Sequence, residues 1–209
     1  MTTETQTETQ TGSRRASLTR ETGETRVEVE LDLDGSGAGE ARTGVGFYDH
    51  MLEAFARHGR FDLRVRCEGD LQVDPHHTME DVALAVGQAF DSALGERVGI
   101  VRMGDATVPL DEALVQAVVD LSGRPYAAVD LNFAGERIGE APTELVPHVL
   151  GSFAVGARAT LHVRQLAGAN DHHVAEAAMK ALGRALDVAT RLDERLAGRV
   201  PSTKGTLTA

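Results

Sequence analysis

The chain contains one cysteine, no tryptophan and only two tyrosines in 209 residues, and it has no excess of basic charge. A single thiol excludes an internal disulfide. Cys67 closes the alternation Phe61, Leu63, Val65, Cys67, which predicts an inward-facing strand position rather than a reactive thiol. With 21 Lys and Arg against 32 Asp and Glu, the formal net charge of -11 argues against sequence-independent nucleic-acid binding, which needs a basic footprint. The scarcity of aromatics also removes the aromatic and basic interleaving that could offset this charge. No apolar run is long enough to cross a bilayer, and the opening residues lack the apolar stretch of a signal peptide. Together these absences predict a soluble cytoplasmic protein with neither a nucleic-acid nor a membrane partner. An acidic chain can still bind a phosphate where a few Arg or Lys side chains and backbone N–H groups converge.

A hydrophobic fraction of 42% suffices for one substantial core. Residues 1–20 are rich in Thr, Glu, Gln, Ser and Arg without apolar periodicity, which predicts a disordered tail. Residues 21–200 read as a single catalytic domain, and 201–209, with Pro201-Ser202-Thr203-Lys204-Gly205, as a flexible polar tail that covers substrate.

The domain is internally repeated. His76-His77-Thr78-Met79-Glu80 and His172-His173-Val174-Ala175-Glu176 are both HHxxE, each preceded by a helical segment bearing a further histidine, His50 or His148. The flanking residues repeat too: His50, Leu52, Phe55 and Ala56 align with His148, Leu150, Phe153 and Ala154, and Leu63-Arg64-Val65-Arg66 with Leu161-His162-Val163-Arg164. This predicts two half-domains, about 21–98 and 99–200, related by a pseudo-twofold. Strand alternation at 27–33, helical spacing ending at His58-Gly59, a strand at about 61–67 and a helix from Pro75 to about Leu94 describe the first half. The second half reads as a hairpin, 114–121 with 126–133, then a helix at about 143–157, a strand at about 159–166 and a helix from about 171 to 197. The fold class is α+β, each half a mainly antiparallel sheet with two helices, packed helices to helices.

Residues i and i+4 share a helix face, whereas neighbours point about 100° apart. His76 and Glu80 can therefore chelate one ion while His77 looks elsewhere, and His172, Glu176 and His173 repeat that geometry. One half cannot close either site alone. The economical arrangement has two ions, each taking a His and Glu pair from one helix, the adjacent His of another copy, and His50 or His148. Such donors suit Mn, Fe, Zn or Ni and leave octahedral positions open. The carboxylate stands at chelating distance from the histidine, unlike the free base of HExxH proteases. His58 and His162 fall outside the constellation and read as structural, with His58 at the rim of the site.

Thr43-Gly44-Val45-Gly46-Phe47-Tyr48-Asp49-His50-Met51-Leu52, Gly69-Asp70-Leu71 leading to Asp74-Pro75-His76-His77-Thr78-Met79-Glu80-Asp81, Pro109-Leu110-Asp111-Glu112-Ala113-Leu114, Ser122-Gly123-Arg124-Pro125, and Asn170-Asp171-His172-His173 through Glu176 to Lys180-Ala181 resemble the imidazoleglycerol-phosphate dehydratase family of histidine biosynthesis. The likeness covers about residues 20–207. It departs from the family in packing positions such as Tyr48 and Met179, and keeps every candidate ligand. The resemblance implies dehydration of imidazole glycerol phosphate to imidazole acetol phosphate, two Mn²⁺ ions per active site held between subunits, and a homo-oligomer of 24 subunits. It also implies that Glu24 contacts substrate, which makes it the first candidate for proton transfer, and that Arg102, Arg124, Ser202 and Lys204 contact phosphate; Glu80 and Glu176, shifting from ligand to proton shuttle, are the secondary candidates.

The proton lost in this reaction is not next to a carbonyl, so the imidazole ring must act as the electron source. Held between two metal ions as imidazolate, the ring can expel the neighbouring hydroxyl and give a diazafulvene. Two rival readings are a different metal-dependent lyase or hydrolase, and a metal-binding or storage assembly; the latter would have no need of Arg102, Arg124 and Lys204.

Overall fold

The computed structural model describes residues 4–9 and 14–207. The first half runs β1 (Glu4–Thr9), β2 (Arg15–Glu21), β3 (Thr25–Asp32), β4 (Gly39–Arg42), α1 (Gly46–Gly59), β5 (Asp62–Gly69) and α2 (His76–Leu94). The second runs β6 (Met103–Leu110), β7 (Ala113–Asp120), β8 (Tyr126–Asp130), two short strands β9 (Arg137–Ile138) and β10 (Ala141–Pro142), α3 (Leu145–Gly156), β11 (Thr160–Ala167) and α4 (Asp171–Thr190).

The duplication extends to strand order. The first sheet is β1-β2-β3-β5-β4 and the second β6-β7-β11-β8. In both, the last strand to join pairs in parallel, β4 with β5 and β8 with β11, while the other pairs are antiparallel. β2 is thus the counterpart of β6, β3 of β7, and β5 of β11.

Three expectations require correction. Residues 15–20 are not a disordered tail: β2 buries Ala16 and Leu18 and pairs along its whole length with β3. Only two apolar positions alternate there with polar ones, too few to register as a strand. The segments 114–121 and 126–133 do not form a hairpin, because β11 is inserted between β7 and β8. A strand arriving from downstream in the chain takes the pairing edge that a local turn would otherwise have closed. The last helix stops at Thr190, where Arg191 turns extended and its carbonyl accepts the N–H of Val101; Leu192 then bridges to Ile100.

The helices lie between the two sheets, α2 against β2 and β3, α4 against β6 and β7. Across the pseudo-twofold, α2 packs on α3 and α1 on α4. These crossings are close because glycine stands at each. A Cβ on Gly87 of α2 would lie 2.5 Å from the Phe153 carbonyl oxygen, and one on its repeat mate Gly183 would lie 2.6 Å from that of Phe55. Phe55, Phe61, Phe90 and Phe153 meet at the centre with ring centroids 5.0 to 5.9 Å apart, joining both halves in one core.

Among the described residues no helix is long and apolar enough to cross a membrane. Cys67 pairs across from Val27 on β5, and burial pushes its thiol up to about 12, as an inert strand residue requires.

Candidate metal centres and active site

Both histidine pairs stand in the first turn of a helix. Asn170 starts α4 by accepting the N–H groups of His172 and His173 on its side chain, and Asp74 accepts the N–H of His76 just ahead of α2. The imidazoles therefore project from open helix ends while the glutamate one turn later shares the face of the first histidine.

The helix crossings complete two groups of three. His50 of α1 joins His172 and Glu176 of α4; His148 of α3 joins His76 and Glu80 of α2. In each group one ligand atom per residue lies within 4.8 Å of the others. His50 Nε2 and His172 Nε2 stand 3.2 and 3.1 Å from Glu176 Oε2. His148 Nε2 and His76 Nε2 stand 3.2 and 3.8 Å from Glu80 oxygens. The upstream histidine of each half thus serves the HHxxE helix of the other half.

A fit test for metal comes from His148. Its Nε2 is buried without a hydrogen-bond partner although Glu80 Oε1 is 3.2 Å away. This unbonded nitrogen lies within 4.8 Å of ligand atoms of His76 and Glu80, and two imidazoles with a carboxylate are a donor set suited to Mn, Fe or Zn. The residues fit a divalent cation in both groups.

The two groups differ in charge. Burial opposes ionisation of Glu176, yet the Lys180 ammonium at 2.6 Å and His50 overcome it and hold the carboxyl down to about 2. Glu80 has Leu84 at the corresponding place and no such cation. The i,i+4 spacing of Glu176 and Lys180 was readable as a pair in the sequence, although Lys180 carried no assigned role there.

His77 and His173 belong to neither group. The Nδ1 of His77 donates to Asp70 at 3.0 Å, and that of His173 to Glu112 at 2.7 Å; each bond favours the protonated ring and raises its pKa. The Glu112 carboxyl is held down to about 2, first by His173 and then by the Asn170 N–H. Asp70 and Glu112 stand in the motifs quoted above but carried no assigned role there, since each meets its histidine from a separate loop. Glu24, half exposed, lies 3.8 Å from His77 Nδ1. Its turn is fastened beneath by Thr25, whose hydroxyl donates to the buried Asp81, itself paired with Arg20 at 2.7 Å.

The cations expected at phosphate gather at the far end of the second sheet. Arg102 grips Asp120 with two bonds of 2.7 and 3.0 Å and donates to the Pro201 carbonyl at 2.8 Å, which leaves two of its five N–H groups free of these partners. Residues 201–207 fold against the chain here: Lys204 N–H donates to Ser202 Oγ, and Leu207 is buried. Of the 201–209 tail, residues 208 and 209 lie outside the described residues. Arg124 is exposed in the β7–β8 connection, its guanidinium directed at the Ser122 carbonyl.

This end is remote from the histidines of the same chain. Arg102 N–H bonds the Ala189 carbonyl near the end of α4, whereas His172 stands at its start. At 1.5 Å per residue the two are about 25 Å apart. The eight-residue β6, with Arg102 before it and Glu112 just past it, gives a similar span. His58 sits half-buried, its charged form disfavoured first by burial and then by Lys180 and Arg184, and His162 lies against Tyr126 on the outer sheet face.

The fold is a duplicated α+β domain with a His, His, Glu group at each of two helix crossings. Residues 43–186 match the family model of imidazoleglycerol-phosphate dehydratase. The chain is 58% identical over 195 residues to imidazoleglycerol-phosphate dehydratase of Roseiflexus sp. (strain RS-1), covering 93% of this chain and 98% of the relative. It is 54% identical over 194 residues to that of Chloroflexus aurantiacus, covering 93% and 95%. Among solved structures it resembles IGPD from Pyrococcus furiosus in complex with (S)-C348, with a TM-score of 0.78 and 41% identity over 90% of this chain and 99% of that one. The Staphylococcus aureus enzyme gives a TM-score of 0.75 at 34% identity, covering 80% and 95%. The chain belongs to the imidazoleglycerol-phosphate dehydratase family, and as such is a hydro-lyase of histidine biosynthesis.

Proposed function

We propose that the protein dehydrates imidazole glycerol phosphate to imidazole acetol phosphate with two Mn²⁺ ions per active site. The observation that carries this reading is the pair of His, His, Glu groups, each joining a helix of one half to a helix of the other. His50, His172 and Glu176 would hold one ion, and His76, Glu80 and His148 the other. His77 and His173, which turn away from both groups, would each complete the shell of an ion on another copy. When bound, the ions would supply Lewis acidity that favours the imidazolate form of the substrate ring.

The substrate ring would then expel the hydroxyl on its attached carbon, which leaves as water with the N–H proton, to give a diazafulvene; transfer of the neighbouring C–H proton back to a ring nitrogen would give an enol that tautomerises to the ketone. Glu24, half exposed and 3.8 Å from His77 Nδ1, is the residue we assign to that proton transfer, ahead of Glu80 and Glu176, whose oxygens face the imidazoles. Arg102, Arg124, Ser202 and Lys204 hold the phosphate, with the 201–207 segment closing over it. Because Arg102 and His172 of one chain are about 25 Å apart, a site that uses both must draw on different copies. A homo-oligomer follows, of 24 subunits as the family resemblance implies, working in the cytoplasm.

The test is turnover of synthetic imidazole glycerol phosphate by metal-stripped protein with and without Mn²⁺. Activity should return with the metal. Glu24→Gln should lower kcat by about 10²- to 10⁴-fold while Mn²⁺ content stays at the wild-type level. Absence of turnover with metal fully bound would discard the substrate and favour a metal-binding assembly.

A further inference from the structure

Glu24 and Glu112 hold equivalent places in the two halves, each immediately before the inner strand of a strand pair, β3 or β7. Their partners have diverged. Glu112 Oε2 accepts from His173 Nδ1, and its other oxygen accepts the N–H groups of Asn170 and Ala169. Glu24 is out of hydrogen-bond reach of His77, because Asp70 already holds that ring at Nδ1. Asp70 directly follows β5; the residue directly following β11 is Gly168, which has no side chain to offer. One carboxylate per half therefore grips the outward histidine, supplied from the strand-pair turn in the second half and from the β5–α2 loop in the first.

We propose that Asp70 and Glu112 are positioning residues for metal binding, each fixing the tautomer and orientation of the histidine it holds. A carboxylate accepts only, so the shared proton sits on Nδ1 and leaves the Nε2 lone pair free. Neither ring joins the chain's own three-residue groups. Asp111, the acidic residue nearest His173 Nε2, is 3.8 Å off and largely exposed. A ligand held this way presents its lone pair to an ion without first losing rotational freedom. The proposal rests on the reading of His77 and His173 as ligands.

The experiment is calorimetric titration of Mn²⁺ into metal-free wild type, Asp70→Ala, Glu112→Ala, and the acceptor-retaining variants Asp70→Asn and Glu112→Gln. Each alanine variant should bind Mn²⁺ about 10- to 100-fold more weakly, and each amide variant should recover most of that loss. Thermal melts of the metal-free proteins report whether the fold is intact, and the amide variants, matched in shape, keep the comparison open if an alanine variant does not fold. Alanine variants that fold and bind within twofold of wild type would overturn the proposal. Wild type that binds no Mn²⁺ would overturn the metal reading beneath it instead.

Discussion

Asp62 illustrates how one side chain sets the sheet edge on which α1 rests. Its Oδ1 accepts the N–H groups of Ser36 at 2.8 Å and Ala38 at 3.0 Å, and the Ser36 hydroxyl at 3.1 Å, which closes the turn leading into β4. These backbone donors hold its carboxyl below the ordinary value of 3.8. A depressed folded pKa means that the stabilisation is present above the unfolded value and is lost as pH falls through the folded one. Asp62→Ala should therefore destabilise the fold by about 1 kcal/mol near neutral pH, a figure reduced from the usual charged hydrogen bond because the site is solvated. Denaturation curves of the two proteins should converge on acidification below about pH 4. A gap of constant size across that range would show that the charge plays no part.

At the scale of elements, the glycines of the helix crossings decide how near the two halves approach. Alanine is the better helix former by about 1 kcal/mol, so an exposed Gly87→Ala would stabilise. Here the new Cβ meets the Phe153 carbonyl and the backbone of α3 at contact distances no real methyl adopts. Gly87→Ala and Gly183→Ala should each cost about 1 to 3 kcal/mol net by overpacking, read as a lowered Tm. Because α2 and α3 carry His76, Glu80 and His148, Gly87→Ala should also weaken Mn²⁺ binding. The sequence made these elements legible where chemistry and spacing are local. HHxxE shows its chelating face through the i+4 rule, and Val82, Ala85, Val86, Ala89 and Phe90 show the buried stripe that α2 presents. What stayed illegible is non-local. The union of His50 with Glu176 across the pseudo-twofold depends on packing, and so does the insertion of β11 between β7 and β8. β2 escaped notice because Ala16 and Leu18 alone face the core. The carboxylates that hold His77 and His173 come from loops with no periodicity to betray them.

The whole molecule poses a question of distance. Glu24 adjoins His77 at the start of the 19-residue α2, whereas Arg102 and the Pro201 segment lie beyond its far end, where Arg97 donates to the Leu121 carbonyl and the Leu121 N–H to that of Arg102. A phosphorylated imidazole of a dozen or so heavy atoms cannot bridge about 25 Å. Catalysis by these groups is then possible only where the proton-transfer end of one copy meets the phosphate end of another, and closed symmetry repeats that meeting at every equivalent contact. Glu24→Gln and Arg102→Ala proteins should each be nearly inactive alone. Dissociated by chelation, mixed in equal amounts and reassembled with Mn²⁺, they should regain about a quarter of wild-type turnover, the fraction of sites in a random closed assembly that receive an intact Glu24 from one copy and an intact Arg102 from another. A mixture that stays as inactive as its components, with size-exclusion and mass analysis showing that the subunits did mix, would place both residues of each site on one chain and require the fold to bring them together in a way that the length of α2 forbids.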